Sequence, residues 1–136
     1  MKFLTIMNHS LSSEQKEYAQ KEFKVNEFLF LPDFLKEYFL NISPFEDLDL
    51  EKLSLVTKFI KDNLKKGDFV LIQTEFGVTF YLVDFCLKND FVPVYATSNR
   101  IYEEKINNDG SVSRKHVFKF VKFRKYRYYV EFIKKV

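Results

Sequence analysis

The stretch from Asp68 to Arg100 constrains the fold more than any other part of this sequence. It reads as an apolar run (Asp68 to Gln73), a polar loop (Thr74 to Gly77), an apolar helix-length segment (Val78 to Lys88), a second apolar run (Phe91 to Ala96) and a polar stop (Thr97 to Arg100). Short, nearly continuous apolar runs on either side of a helix are the mark of a βαβ unit. Its strands lie parallel and are covered on both faces. Ligands of open α/β sheets bind just beyond the carboxyl ends of the strands, so the two polar segments are the first place to seek function.

The rest of the chain supports an α/β class. Lys2 to Met7 reads as a strand that ends at Asn8-His9-Ser10. Ser12 with Gln15 forms a capping box, which predicts a helix from Ser13 to about Lys24. Val25 to Leu31 is a second strand, stopped by Pro32, and Asp33 to Leu40 is a short helix. After Ser43-Pro44, Leu50, Leu53, Val56, Phe59, Ile60 and Leu64 recur at helical spacing on one face. Val78 to Leu87 is apolar almost all round, which predicts burial on more than one side, with a second subunit as one cover. Tyr102 to Ile106 and Val112 to Phe123 flank Asn-Asn-Asp-Gly, a strong hairpin signal. Arg124 to Val136 is basic and aromatic and reads slightly better as strand than as helix. The expected architecture is a three-layer α/β sandwich with a mainly parallel sheet, extended by a C-terminal β-hairpin, in one domain spanning residues 1–136.

Composition sets limits on function. The chain is 46% apolar with 17 Phe, which rules out a disordered chain. Its single cysteine, Cys86, cannot form an internal disulfide and suits a reducing cytosol. It reads as a packed apolar residue rather than a nucleophile. No apolar run approaches the roughly 18 residues of a membrane span. Charge is divided: residues 1–99 hold 11 Lys/Arg and 15 Asp/Glu, whereas residues 100–136 hold 11 and 4. A basic terminal segment beside the polar loops favours an anionic partner, although a solvated basic face accounts for the charge equally well.

There is no GxGxxG, Walker loop, paired cysteine set or Gly-x-Ser-x-Gly elbow. What remains is convergence. If the first, third and fourth strands are parallel neighbours, Asn8-His9-Ser10, Gln73-Thr74-Glu75 and Thr97-Ser98-Asn99-Arg100 share one rim. Arg100 can hold phosphate oxygens, Thr97, Ser98 and Ser10 offer hydroxyls, and the helix starts after Ser12 and at Gly77 offer amides. His9 can exchange a proton near neutrality. Each has a plainer reading: Arg100 in a surface ion pair with Glu103 or Glu104, Gln73 as a hydrogen-bonded strand end, and His9 as a turn residue. Phe118-x-Phe120-Val121-x-Phe123 is similar to part of an RNA-recognition strand, but without that signature's glycines; a hydrophobic strand with solvated lysines is the plainer reading.

Four blocks together resemble the small Csx-type CRISPR-associated ring nucleases of type III systems. They are Asn8-His9-Ser10-Leu11-Ser12 with Gln15, Val70 to Gln73 with Phe76-Gly77, Pro93 to Arg100 with Glu104, and Val117-Phe118 with Phe123-Arg124 and Tyr126. One departure is Thr74-Glu75, where that pattern often has Gly-Asp. The resemblance implies a CARF-like Rossmannoid fold, a homodimer, no cofactor or metal, and a cyclic oligoadenylate substrate, cyclic tetra-adenylate first. It implies in-line attack by the ribose 2′-hydroxyl. His9, Arg100 and Ser98 would be catalytic, and Asn8, Ser10, Gln73, Thr74, Glu75, Gly77, Thr97 and Asn99 would bind substrate. A non-catalytic binder of the same ligand and a single-strand RNA-binding module are the competing expectations; neither membrane nor long nucleic acid is expected as partner.

Overall fold

The computed structural model describes residues 1–133. The chain runs β1 (Lys2–Met7), α1 (Ser13–Glu22), β2 (Glu27–Phe30), α2 (Asp33–Leu40), α3 (Leu50–Asn63), β3 (Phe69–Gln73), α4 (Phe76–Lys88), β4 (Val92–Ile106), β5 (Val112–Lys125) and α5 (Tyr129–Ile133). One five-stranded sheet has the order β2-β1-β3-β4-β5. Its first four strands are parallel and β5 is antiparallel to β4. This is a Rossmann-like sandwich of α/β class, as the apolar runs predict.

The helices divide between the two faces because alternate strand residues point to opposite sides. Leu4 and Ile6 of β1 join Val70 and Ile72 of β3 in a core covered by α2, α3 and α4. Phe3 and Met7 join Phe69, Leu71, Val94 and Phe123 in a second core, which holds Ala19 of α1. Each fully buried Leu, Ile or Phe contributes about 1.5–3 kcal/mol. The central strands are therefore held mainly by the apolar side chains on both their faces. Local signals start the helices. Ser12 Oγ accepts from Gln15 N at 3.2 Å and Gln15 Oε1 accepts from Ser12 N at 2.9 Å, completing the predicted capping box. Asp49 caps α3 by accepting from Lys52 N. Buried Asp68 accepts from the backbone amides of Lys2 and Lys65, tying the start of β1 to the α3–β3 turn.

Three expectations need correction. Thr97 to Arg100 is not a loop: β4 is 15 residues long and continues to Ile106, with a bulge at Thr97/Ser98. β3 pairs with β4 only as far as Leu71↔Val94. Beyond it β5 alone satisfies the ladder, so these polar residues form a solvated two-stranded ribbon that needs no apolar face. Secondly, Tyr129–Ile133 is a short helix rather than strand; residues 134–136 lie outside the described residues. Thirdly, α4 buries Val78, Leu82 and Cys86, but Phe76 and Phe80 are 92% and 77% exposed, so its outer face is open in the single chain. No helix among the described residues is long and apolar enough to cross a membrane.

Candidate functional site

The carboxyl ends of β1 and β3 are level. Met7 stands in register with Gln73, which brings Asn8-His9-Ser10 and Thr74-Glu75 side by side. Gln73 Oε1 then accepts from Ala96 N at 2.8 Å and acts as an extra rung between β3 and β4 beyond their last paired residues. Its strand-end reading is what the structure shows, and the same bond pins the third polar segment to the other two.

Two clefts open at this rim. The first, about 730 Å³, is lined by Asn8, His9, Gln73, Thr74 and Glu75 together with the α2 end (Phe39 to Ile42), Phe76, Tyr95 and Tyr126. The second, about 580 Å³, lies against α1 and the ribbon. It is lined by His9, Ser10 and Gln73, by Ser12 and Ser13, by Thr97 and Ser98, and by Lys119 among the ribbon residues. A cavity of about 40 Å³ between β1 and α2 also has His9 in its wall. His9 is thus common to all three spaces, and Gln73 to the two large ones. The His9 side chain is exposed and its Nδ1 lies 3.4 Å from Ser10 O.

Several predicted donors are already engaged. Ser12 Oγ, Gln15 Oε1 and the Glu75 carboxylate, which accepts from Gly77 N, occupy the starts of α1 and α4. One helix-start amide at each, Gln15 N and Gly77 N, is thereby already satisfied and is not free for an anion. A Cβ at Gly77 would stand 3.1 Å from Glu75 Oε1 and 3.3 Å from Leu48 Cδ1, so both side-chain ends would have to give by a few tenths of an ångström. Thr97 Oγ1 donates to Lys122 O across the bulge. Thr74 Oγ1 is buried beside the first cleft with no hydrogen-bond partner among the described residues.

Gly77, Asn99 and Arg100 line neither large cleft. Asn99 and Arg100 lie farther up the ribbon, paired in register with Lys119 and Phe118. Arg100 has no ion pair among the described residues; Glu104, one partner considered for it, pairs with Arg114 at 3.3 Å. Sequence reasoning gave no site role to Asn41, Tyr95 and Lys119. Tyr95, the one polar-tipped residue within an apolar strand, was the available signal. Its hydroxyl accepts from Arg124 Nη1 at 3.1 Å, and its ring lies 4.8 Å from that of Tyr126. The Tyr126 hydroxyl donates to Ile72 O at 2.8 Å, and partial burial raises its pKa, with Tyr95 adding a smaller push. Both rings are therefore locked before any ligand arrives.

The other candidate chemistries narrow. Burial pushes the Cys86 thiol up to about 12, so it is neutral and inert near pH 7. Phe123 is buried, and both it and Phe120 pack edge-on against Tyr18 of α1, which leaves only Phe118 of that row well exposed. An RNA-stacking strand needs those rings on the surface. No cluster of three or more His, Cys, Asp or Glu side chains that can hold a metal ion occurs among the described residues.

The fold and rim define an α/β protein with a polar, histidine-centred cleft at the carboxyl edge of a mostly parallel sheet. Residues 1–124 match the model of the MJ1673 family, described as an uncharacterized protein family, and the chain belongs to it. Uncharacterized protein MJ1673 of Methanocaldococcus jannaschii is 36% identical over 129 residues, covering 94% of this chain and 98% of that protein. No solved structure matches.

Proposed function

We propose that this protein binds a cyclic oligoadenylate at the sheet rim and opens the ring, with cyclic tetra-adenylate as the first candidate. One observation carries the reading: three polar segments, remote in sequence, meet at one edge, with His9 in the wall of every space there. The first cleft pairs aromatic walls (Phe76, Tyr95, Tyr126) with amides (Asn8, Asn41), a combination suited to a purine's faces and edges. The second pairs hydroxyls with the Lys119 ammonium, which suits a phosphodiester.

In the proposed reaction a ribose 2′-oxygen attacks its own phosphorus in line as the bond from phosphorus to the 5′-oxygen breaks. The products are a 2′,3′-cyclic phosphate and a 5′-hydroxyl. His9 takes the 2′ proton and, in its protonated form, can supply one to the leaving oxygen. Ser98 and Lys119 stabilise the charge gathering on the phosphorane. Arg100, outside both clefts in the single chain, is assigned no direct contact. Such an activity would remove the second messenger and switch off type III CRISPR signalling.

The test is chromatography of products from a panel of cyclic oligoadenylates, incubated with the protein in chelator. Linear products ending in a 2′,3′-cyclic phosphate are expected. Intact rings after long incubation with excess protein would overturn catalysis, and tight binding in that case would make the protein a sink for the ligand.

A further inference from the structure

From Thr97 to Ile106 β4 pairs with β5 on one edge and with no other strand among the described residues on the other. A two-stranded ribbon is at best marginally stable alone, and an open edge presents a row of unpaired backbone groups. Charged side chains commonly guard such an edge. Here the edge carries Arg100, Glu103, Glu104 and Lys105.

We propose that the free edges of two β4 strands pair antiparallel about a two-fold axis at Tyr102, joining two chains through a four-stranded sheet β5-β4-β4-β5. The register follows from the pleat. A two-fold normal to the sheet preserves its faces, so only residues an even number apart can stand opposite each other. Centred on Tyr102, Arg100 faces Glu104 of the partner subunit, and Glu104 faces the partner subunit's Arg100. Centring on Arg100 or on Glu103 would set like charges opposite, and centring on Ile101 would form no ion pair.

The neighbouring strand reinforces this register. Tyr102 packs against His116 of β5 with ring centroids 5.3 Å apart and ring planes tilted by 60°, so the axis would join two such pairs into a row of four rings. Glu104 already pairs with Arg114 across the ribbon, and Arg100 of the second copy would complete an Arg-Glu-Arg row. Arg100, without an ion partner among the described residues of its own chain, gains one. Tyr102, 48% exposed, is covered. The inference depends on neither the ligand nor ring cleavage.

Cross-linking tests the register directly. Tyr102→Cys places two thiols on the axis, at a separation an antiparallel pair can bridge. Native Cys86 is buried and does not compete. Under mild oxidation Tyr102→Cys should give a covalent dimer, and Asn99→Cys, away from the axis, should not. In sedimentation, Arg100→Glu should weaken the dimer about tenfold or more, because it sets like charges opposite at two symmetric positions. Three results would overturn the proposal: a wild-type monomer at all concentrations, a dimer that Tyr102→Cys fails to trap, or a dimer lost on Phe80→Asp but kept on Arg100→Glu. The last would move the interface to the open face of α4.

Discussion

β3 and the outer half of β4 are both strands, yet they exist for different reasons. In β3, Phe69 to Ile72 are buried and the strand is flanked on both edges by parallel neighbours. In β4 beyond Ala96, Ser98 to Arg100 and Tyr102 to Ile106 are exposed, and one antiparallel partner holds them. The first is specified by what its side chains bury, the second by what its backbone pairs with. Burial tolerates little change in side chains, whereas pairing tolerates much, so function can vary on the ribbon without threatening the core.

Leu71→Ala should show the contrast most sharply, at a cost of about 2–5 kcal/mol for lost burial plus a cavity between packed layers. Chemical denaturation measures it, and a loss below 1 kcal/mol would mean that β3 is not the keystone. At the rim, His9→Ala should reduce single-turnover ring opening about a hundredfold while leaving denaturation midpoints unchanged. Equal rates for wild type and variant would remove His9 from the chemistry.

Smaller effects belong to the ribbon and to the buried thiol. Gly110→Ala should cost about 1 kcal/mol, because the hairpin turn holds φ at +85° with nothing within 4 Å of an added Cβ. The penalty would be conformational rather than steric. Cys86 prefers its neutral form in the fold, so its share of stability is fully present below the ordinary thiol value of 9.0. That share is lost as pH rises toward 12. Alkylation at pH 8 should therefore be negligible in the native protein and rapid in denaturant. Asn99→Ala, at the bottom of the scale, should change stability by no more than about 0.5 kcal/mol. A larger loss would show that the ribbon is packed against something, and would favour the paired assembly.

The chain's local chemistry was sufficient for the parallel core, the capping boxed start of α1, the α3 stripe and the Asp-Gly hairpin. Each rests on burial periodicity or on contacts within a few residues, which the order of side chains encodes directly. The adjacency of β1, β3 and β4 was also legible, because apolar runs flanking helices admit few parallel arrangements. The continuation of β4 through Thr97 to Arg100 was not, since polar residues in a solvated ribbon are indistinguishable from loop until the partner strand is placed. The occupied helix starts, the positions of Tyr95 and Lys119 in the cleft walls, and Arg100's place outside them likewise depend on distances between segments far apart in sequence. Residue order determined which side chains must be buried and which turns are polar; only the folded arrangement decided which of those polar groups face a common space, because that depends on register between strands.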